Sequence, residues 1–321
     1  MNTSRILIHA TILLSICASG AFAQSDRTFV SAKGTDSPTC SSYTDPCRSF
    51  NVAIPKTNSG GEVIALDSGI YDSFNIAVGT PLTIAAAPGA HVELADTGSG
   101  DRISVNTGNA GGNVTLRNLT LIRRGGGSGN GINLVSGGNL QVENCVIDGF
   151  AFGINLSVTA AAQVSISNTV VRNSTADGVA VFAASGSKIK VSVDNGRFEN
   201  TTGADASSAL GHGIYVSDRS KVTVRNSVAT GNSGAGFVAE GDGADITIDN
   251  CEVSNNKNGI VASNNFGTGG GAVTVSNSVV THNSGSGFVQ SSTGVFNSLG
   301  NNTVRRNGTN TVGTINVITG T

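Results

Sequence analysis

The chain has 321 residues, of which 44 are Gly and none is Trp, with aromatic residues at 5% and charged residues at 12%. So much glycine and so few rings exclude a core built on large aromatic side chains. Lys and Arg number 19 and Asp and Glu 21, a formal charge of −2; that balance provides no field to draw in nucleic acid or an anionic membrane surface.

The first predicted element is a cleaved export signal over residues 1–23. Met1 to Arg5 is a short positive start, Ile6 to Ala18 is mostly apolar, and Ala21-Phe22-Ala23 supplies the small residues needed before Gln24. The apolar run is interrupted by His9, Thr11 and Ser15 and falls short of the roughly 20 apolar residues of a membrane span. No other stretch comes close, so no membrane span is expected in the mature chain. The leader places that chain in the periplasm or the medium of a bacterium, where disulfides persist. Residues 24–61 then read as an N-terminal cap. Within it, Cys40 and Cys47 bracket a short loop, a spacing that suits a local disulfide.

The remainder, residues 62–321, reads as a solenoid. From Val114 one pattern recurs, apolar-polar-apolar-polar-Asn: VTLRN ends at Asn118, LQVEN at Asn144, VSISN at Asn168, VSVDN at Asn195, VTVRN at Asn226, ITIDN at Asn250 and VTVSN at Asn277. A degenerate NSLGN ends at Asn301. Successive intervals of 24 to 31 residues lie in the range of one solenoid turn. Period-two alternation of Val, Ile and Thr makes each run a strand with one buried face. A second short run follows each Asn, and a third opens with Gly, as at Gly178-Val179 and Gly213-Ile214. Three strands per turn, each paired in parallel with its equivalents above and below, are therefore expected. Asn suits the left-handed conformation of a sharp corner, and its amide can bond to the same amide one turn away. Cys145 and Cys251 share one column four turns apart, too far for a disulfide, and are expected as buried free thiols. The last strand is expected over Val312 to Ile318.

This pattern resembles the right-handed parallel β-helix repeat proteins of the pectin-lyase-like superfamily over nearly all of the mature chain. Residues 28–36 (TFVSAKGTD), 46–50 (PCRSF) and 60–71 (GGEVIALDSGIY) are similar to that family's opening strand, capping helix and first turn. The resemblance implies an all-β, single-stranded right-handed β-helix whose cap contains a short helix. Pro55 lies inside the helix expected over Phe50 to Thr57, so that helix should break near Ile54.

The resemblance also implies that chemistry, where there is any, lies on the outward face of the glycine-led strands. The longest interval, Asn195 to Asn226, inserts Thr201 to Leu210 just before Gly211-His212-Gly213, and insertions in repeat proteins mark binding faces. Asp177 and His212 hold equivalent positions in adjacent turns, with Tyr215, Asp218 and Glu240 nearby. Asp177, His212 and Glu240 are the catalytic candidates, and Tyr215 and Asp218 the substrate-binding ones. A carboxylate beside an imidazole can orient it as a general base. The same column also holds Asn130, Phe152, Ala235, Asn258 and Ser286, as a plain solvent-facing corner would. Gly211-His212-Gly213 resembles a polygalacturonase motif, but no Asp-Asp pair accompanies it, and the Trp and Arg-x-Pro-x-x-Arg elements of pectate lyases are missing. Arg123-Arg124 before three glycines lacks the strand-to-helix context of a phosphate loop and reads as a solvated corner. No cofactor or metal motif is present. The chain thus reads as an exported, noncatalytic β-helix that binds polysaccharide or serves in the envelope or in adhesion, with a lyase, hydrolase or epimerase of unrecognised type as the alternative.

Overall fold

A computed structural model of the chain describes residues 24–319 apart from 37–38, 78–80, 97–99, 109–111, 126–127, 204–209 and 265–268. The expected export signal and most of the Thr201 to Leu210 insertion lie outside the described residues. Three sheets of 12, 10 and 10 strands run the length of the molecule. One turn is formed by Gly138–Glu143, Val146–Asp148 and Ile154–Val158, and the next by Ala162–Ser167, Val170–Arg172 and Val179–Ala183. Every strand pairs in parallel with its counterparts one turn away, Leu140 with Val164 and Val142 with Ile166. Alternation sets the faces: Ile189, Val191 and Val193 point inward from Ile189–Asp194 while Lys190, Ser192 and Asp194 face water. The core is therefore a bundle of aliphatic columns, Val114, Leu140, Val164, Val191, Val222 and Ile246 among them, each almost fully buried.

The corner after the large-sheet strand is left-handed at Asn118, Asn144, Asn168, Asn195, Asn226, Asn250 and Asn277, with φ between 49° and 60°. Asn301 departs from this, because Gly300, at φ 77°, takes the left-handed position one residue earlier. The expected chain of identical amides is interrupted as well. Asn195 donates to Asn168 (2.7 Å), Asn250 to Asn226 (2.7 Å) and Asn301 to Asn277 (2.8 Å). Asn226 and Asn277 turn instead to the carboxylates of Asp194 and Asp249, both at 2.7 Å. A charged acceptor binds an amide N–H more strongly than a neutral one, so wherever the preceding residue is Asp the rung is captured.

A second asparagine ladder lies inside the solenoid, at the corner after the second strand. Asn232, Asn256 and Asn283 are each no more than 2% exposed. Their side chains bond in sequence, Asn232 to Asn256 (2.9 Å), Asn256 to Asn283 (3.1 Å) and Asn283 to Asn307 (2.9 Å). Each also donates to a main-chain carbonyl in the preceding turn, as Asn256 does to Ala229 at 3.0 Å. This column satisfies the backbone of a buried corner with side-chain amides, whereas at the outer corner the Asn N–H bonds to a main-chain carbonyl of the next turn, as Asn250 does to Ser276.

At the N-terminus, Ser25–Val30 pairs with Thr57–Ala65 as the first rungs of the large sheet, so the solenoid begins inside the segment assigned to the cap. The helix runs over Phe50–Ala53 and tightens to a 3-10 turn at Ile54–Lys56, where Pro55 has no N–H to continue it. Phe50 closes the core against Tyr71 and Phe74, with ring centroids 5.4 and 4.8 Å away. Cys40 and Cys47 form a disulfide, and the loop is stitched to the first strand by Cys47 N–H to Phe29 O and Ser31 N–H to Cys47 O. Cys145 and Cys251 are buried free thiols. Arg123 is not solvated as the sequence suggests: it is 9% exposed and lies over the Phe150 ring at 5.2 Å, while Arg124 pairs with Glu93. At the C-terminus the expected single strand is split, because Gly313 (φ 79°) separates Thr309–Val312 from Ile315–Val317.

Candidate functional site

The glycine-led strands build the sheet on which the candidate residues stand. Glycine is required where each strand begins: a Cβ on Gly213 would lie 2.6 Å from the Gly236 carbonyl of the next turn. Val179–Ala183, Ile214–Val216 and Ala235–Glu240 are adjacent, and their register puts Ala180, Tyr215 and Val238 in one outward column. Phe182 and Glu240 face the same side one alternation further along.

Asp177 and His212 are brought together, but not as an ion pair on a wet corner. Asp177 is 1% exposed and His212 8%, which overturns the solvent-facing reading. Gly211, which follows the insertion, ties the main chain to the neighbouring turn: its N–H donates to Ala176 O at 2.8 Å. Asp177 Oδ1 accepts from the main-chain N–H groups of His212 (2.9 Å) and Gly211 (3.1 Å), not from the ring. Its Oδ2 is buried without a hydrogen-bond partner. Burial outweighs the two N–H donors and pushes the Asp177 carboxyl up to about 7. The His212 ring sits over Gly234, where a Cβ would approach Nδ1 to 2.5 Å, and Nδ1 accepts the Ala235 N–H at 2.8 Å. A main-chain N–H can only donate, so Nδ1 holds a lone pair and the neutral ring carries its proton on Nε2.

Tyr215 links the turns. Its ring lies nearly parallel to His212, with centroids 5.8 Å apart, and 5.6 Å from Phe182. Its hydroxyl donates to Glu240 Oε2 at 2.7 Å, while Ser263 donates to Glu240 Oε1 at 3.2 Å. Burial, followed by the bond to Glu240, raises the Tyr215 phenol well above its ordinary range, with smaller contributions from the charges of Asp177 and Asp218. Asp218 itself stands beyond the strand with Oδ1 against Gly241 and acts on Tyr215 through its charge. Phe182 and Ser263 face outward on this sheet, as alternation predicts, but were not among the candidates, nor was the polar row in the Tyr215 column: Asn155 donates to Asn133 at 3.0 Å and Asn133 to Asp101 at 2.6 Å. Among the described residues no cluster of three or more His, Cys, Asp or Glu is placed to hold a metal ion.

Residues 182–308 match the family described as right handed beta helix region. With the three parallel sheets already established, that match settles the architecture. The chain is a right-handed parallel β-helix. This β-helix superposes on the pectate lyase Pel9A with a TM-score of 0.53 at 14% identity, covering 92% of this chain and 78% of that one. It superposes on an alginate lyase from Paenibacillus sp. str. FPU-7 with a TM-score of 0.59 at 14% identity, covering 91% of this chain and 100% of that one. Against the GH136 lacto-N-biosidase from Eubacterium ramulus the TM-score is 0.65 at 12% identity, and 88% of this chain spans 59% of that one. No curated protein matches the sequence. At such identities the likeness establishes the fold of this β-helix and assigns none of its residues a role.

Proposed function

We propose that this is an exported β-helix protein that binds polysaccharide along the glycine-led sheet without cleaving it. The observation that carries this reading is where the protons are held. A general base must have a free lone pair, yet the His212 Nδ1 lone pair is committed to the Ala235 N–H, leaving Nε2–H as a donor. Tyr215 is held protonated against Glu240. What remains is a pair of half-buried rings, Phe182 and Tyr215, backed by the buried His212 ring and Glu240 carboxylate and flanked by the amides of Asn133 and Asn155. Such a row suits the apolar face of a sugar ring, with polar groups to either side for its hydroxyls. The disulfide is consistent with a periplasmic or extracellular location, and an envelope or adhesion role uses the same binding surface.

The alternative, a lyase, hydrolase or epimerase, draws on one specific observation: a carboxyl near neutrality with a bare oxygen, Asp177, is in the range of a general acid. Incubating the mature protein with uronate-containing and neutral polysaccharides, and following both binding and new reducing or unsaturated ends, separates the two. Binding without products, weakened about tenfold by Tyr215→Ala through loss of a stacking ring, is the expected result. Turnover abolished by His212→Ala or Asp177→Asn would replace the binding reading with the enzymatic one.

A further inference from the structure

The outward face of the twelve-stranded sheet, on a different side of the solenoid from Tyr215, carries a trough of about 820 Å³. It crosses five successive strands, from Asn113–Arg117 to Ser220–Arg225, a length of roughly 19 Å at one strand spacing per step. Its floor is almost free of charge. Gln141, Gln163, Ser165 and Ser192 offer amides and hydroxyls, the groups that hydrogen-bond sugar hydroxyls or ordered water with equal ease.

Two lysines interrupt this neutrality, and their placement is unusual for the sheet. Register puts Lys190 beside Gln163 on one side and Lys221 on the other. Lys221 shares Asp245 at 3.5 Å, in an ion pair whose side chains are 67% and 41% exposed, and Lys190 has no ion-pair or hydrogen-bond partner among the described residues. Like charges side by side across a strand pair repel. Elsewhere on the same face the sequence avoids this. Arg117 pairs with Glu143 at 2.8 Å, and Asp194, Arg225 and Asp249 alternate in sign down one column. Among the described residues of this face, Lys190 and Lys221 stand in adjacent rungs with one carboxylate, Asp245, between them.

We propose that this trough is a binding site for an acidic polysaccharide, with Lys190 and Lys221 meeting carboxylates of successive sugar units and the amide and hydroxyl floor meeting their hydroxyls. The uncompensated pair supplies the charge complementarity, and the straight row of neutral donors and acceptors selects an extended sugar chain over a compact anion. The site stands whether or not the Tyr215 face binds glycan, because the two share no residue.

The test uses the mature protein and three probes: polygalacturonate, its fully methyl-esterified form, and single-stranded DNA of matched charge. Binding is followed by calorimetry at two salt concentrations. K190Q/K221Q is expected to raise the dissociation constant for polygalacturonate about tenfold, the effect of losing two exposed charge contacts, and to flatten its salt dependence. F182A/Y215A is expected to leave that lysine-dependent component intact. Both lysines are exposed, and an unchanged circular dichroism spectrum verifies that the variant folds. Polygalacturonate binding that is absent or unaffected by K190Q/K221Q overturns the proposal. So does equal affinity for the methyl ester, in which no carboxylate remains, or for DNA, which would reduce the trough to a generic cation pair.

Discussion

Replacing Asn256 tests whether the inner ladder is a structural necessity. Asn256 Oδ1 accepts from Asn232 N–H at 3.0 Å and from Asn232 Nδ2 at 2.9 Å, while its Nδ2 donates to Asn283 Oδ1 at 3.1 Å and to Ala229 O at 3.0 Å. Asn256→Leu keeps the volume and removes all four bonds, at about 1 kcal/mol net each, and leaves the Asn232 N–H buried without its acceptor at about 1 to 3 kcal/mol more, for a loss of ~5 to 7 kcal/mol. The outer corner provides the comparison. Asn250 is left-handed at φ 52° and donates one bond, to Asn226, near water. Asn250→Gly keeps the conformation at no steric cost and should lose ~1 kcal/mol or less. Urea unfolding of both variants, followed by circular dichroism, measures the difference. Because each turn contacts only its neighbours, hydrogen exchange should also localise the Asn256 defect to the turns on either side. Equal costs at the two corners would refute the reasoning, since burial and the four bonds of Asn256 against the one of Asn250 are what make one asparagine worth several times the other.

The remaining expectations follow from single groups. Burial pushes the thiols of Cys145 and Cys251 up to about 11, so a thiol reagent at pH 8 should label neither until the chain unfolds; fast native labelling would contradict their placement. Cys40 and Cys47 are 7 residues apart, and closing so short a loop is worth ~2.5 kcal/mol on chain entropy. Cys40→Ser with Cys47→Ser should lower stability by about that amount, with hydrogen exchange rising first around Phe29 and Ser31. Asp177 gives a pH signature. Its folded value, about 7, is above its ordinary 3.8, so the folded state holds the proton more tightly than the unfolded one. Stability therefore falls as pH rises from roughly 4 to 7, by up to ~4 kcal/mol, and Asp177→Asn should remove that decline; a parent protein whose stability is flat over the interval would show that the carboxyl is not buried as described.

The sheets were legible in the sequence because their physics is local and periodic. Val191 and Val193 alternate with Ser192 and Asp194, and Asn195 marks the corner, so the register of each turn follows from spacing, while its right hand was implied only by the family resemblance. The inner ladder obeys the same kind of rule, six residues after Asn226, Asn250, Asn277 and Asn301 at Asn232, Asn256, Asn283 and Asn307, but it is absent from the early turns. Phe150 stands at the equivalent position after Asn144, Ser174 after Asn168 and Thr201 after Asn195. A column that changes chemistry along its length does not announce itself as a column. The candidate site was legible only as a location. Alternation predicted that Asp177, His212, Tyr215 and Glu240 share one face, yet it could not foresee that main-chain N–H groups would take the Asp177 carboxylate and the His212 lone pair, because those bonds depend on how the main chain turns at Gly211 and Ala235.

Those main-chain bonds bear on whether a solenoid of this kind can be a catalyst. A parallel β-helix supplies main-chain donors at every rung, and they are already satisfied by the rungs above and below except at corners and insertions. The Gly211, His212 and Ala235 N–H groups lie at such a corner, and they find their acceptors in the very side chains that an acid-base pair would need free. Restoring a basic nitrogen to His212 requires another acceptor for the Ala235 N–H, and freeing Asp177 Oδ1 requires one for the His212 N–H, since the Gly211 N–H also has the Ala176 carbonyl. Each unmet donor costs about 1 to 3 kcal/mol in a buried corner. A substrate would have to repay that sum before any proton moved, whereas the rings of Phe182 and Tyr215 are presented with no rearrangement at all. The energetics of the corner thus support the proposed binding role, and the same sum is what an enzymatic role on this face would have to overcome.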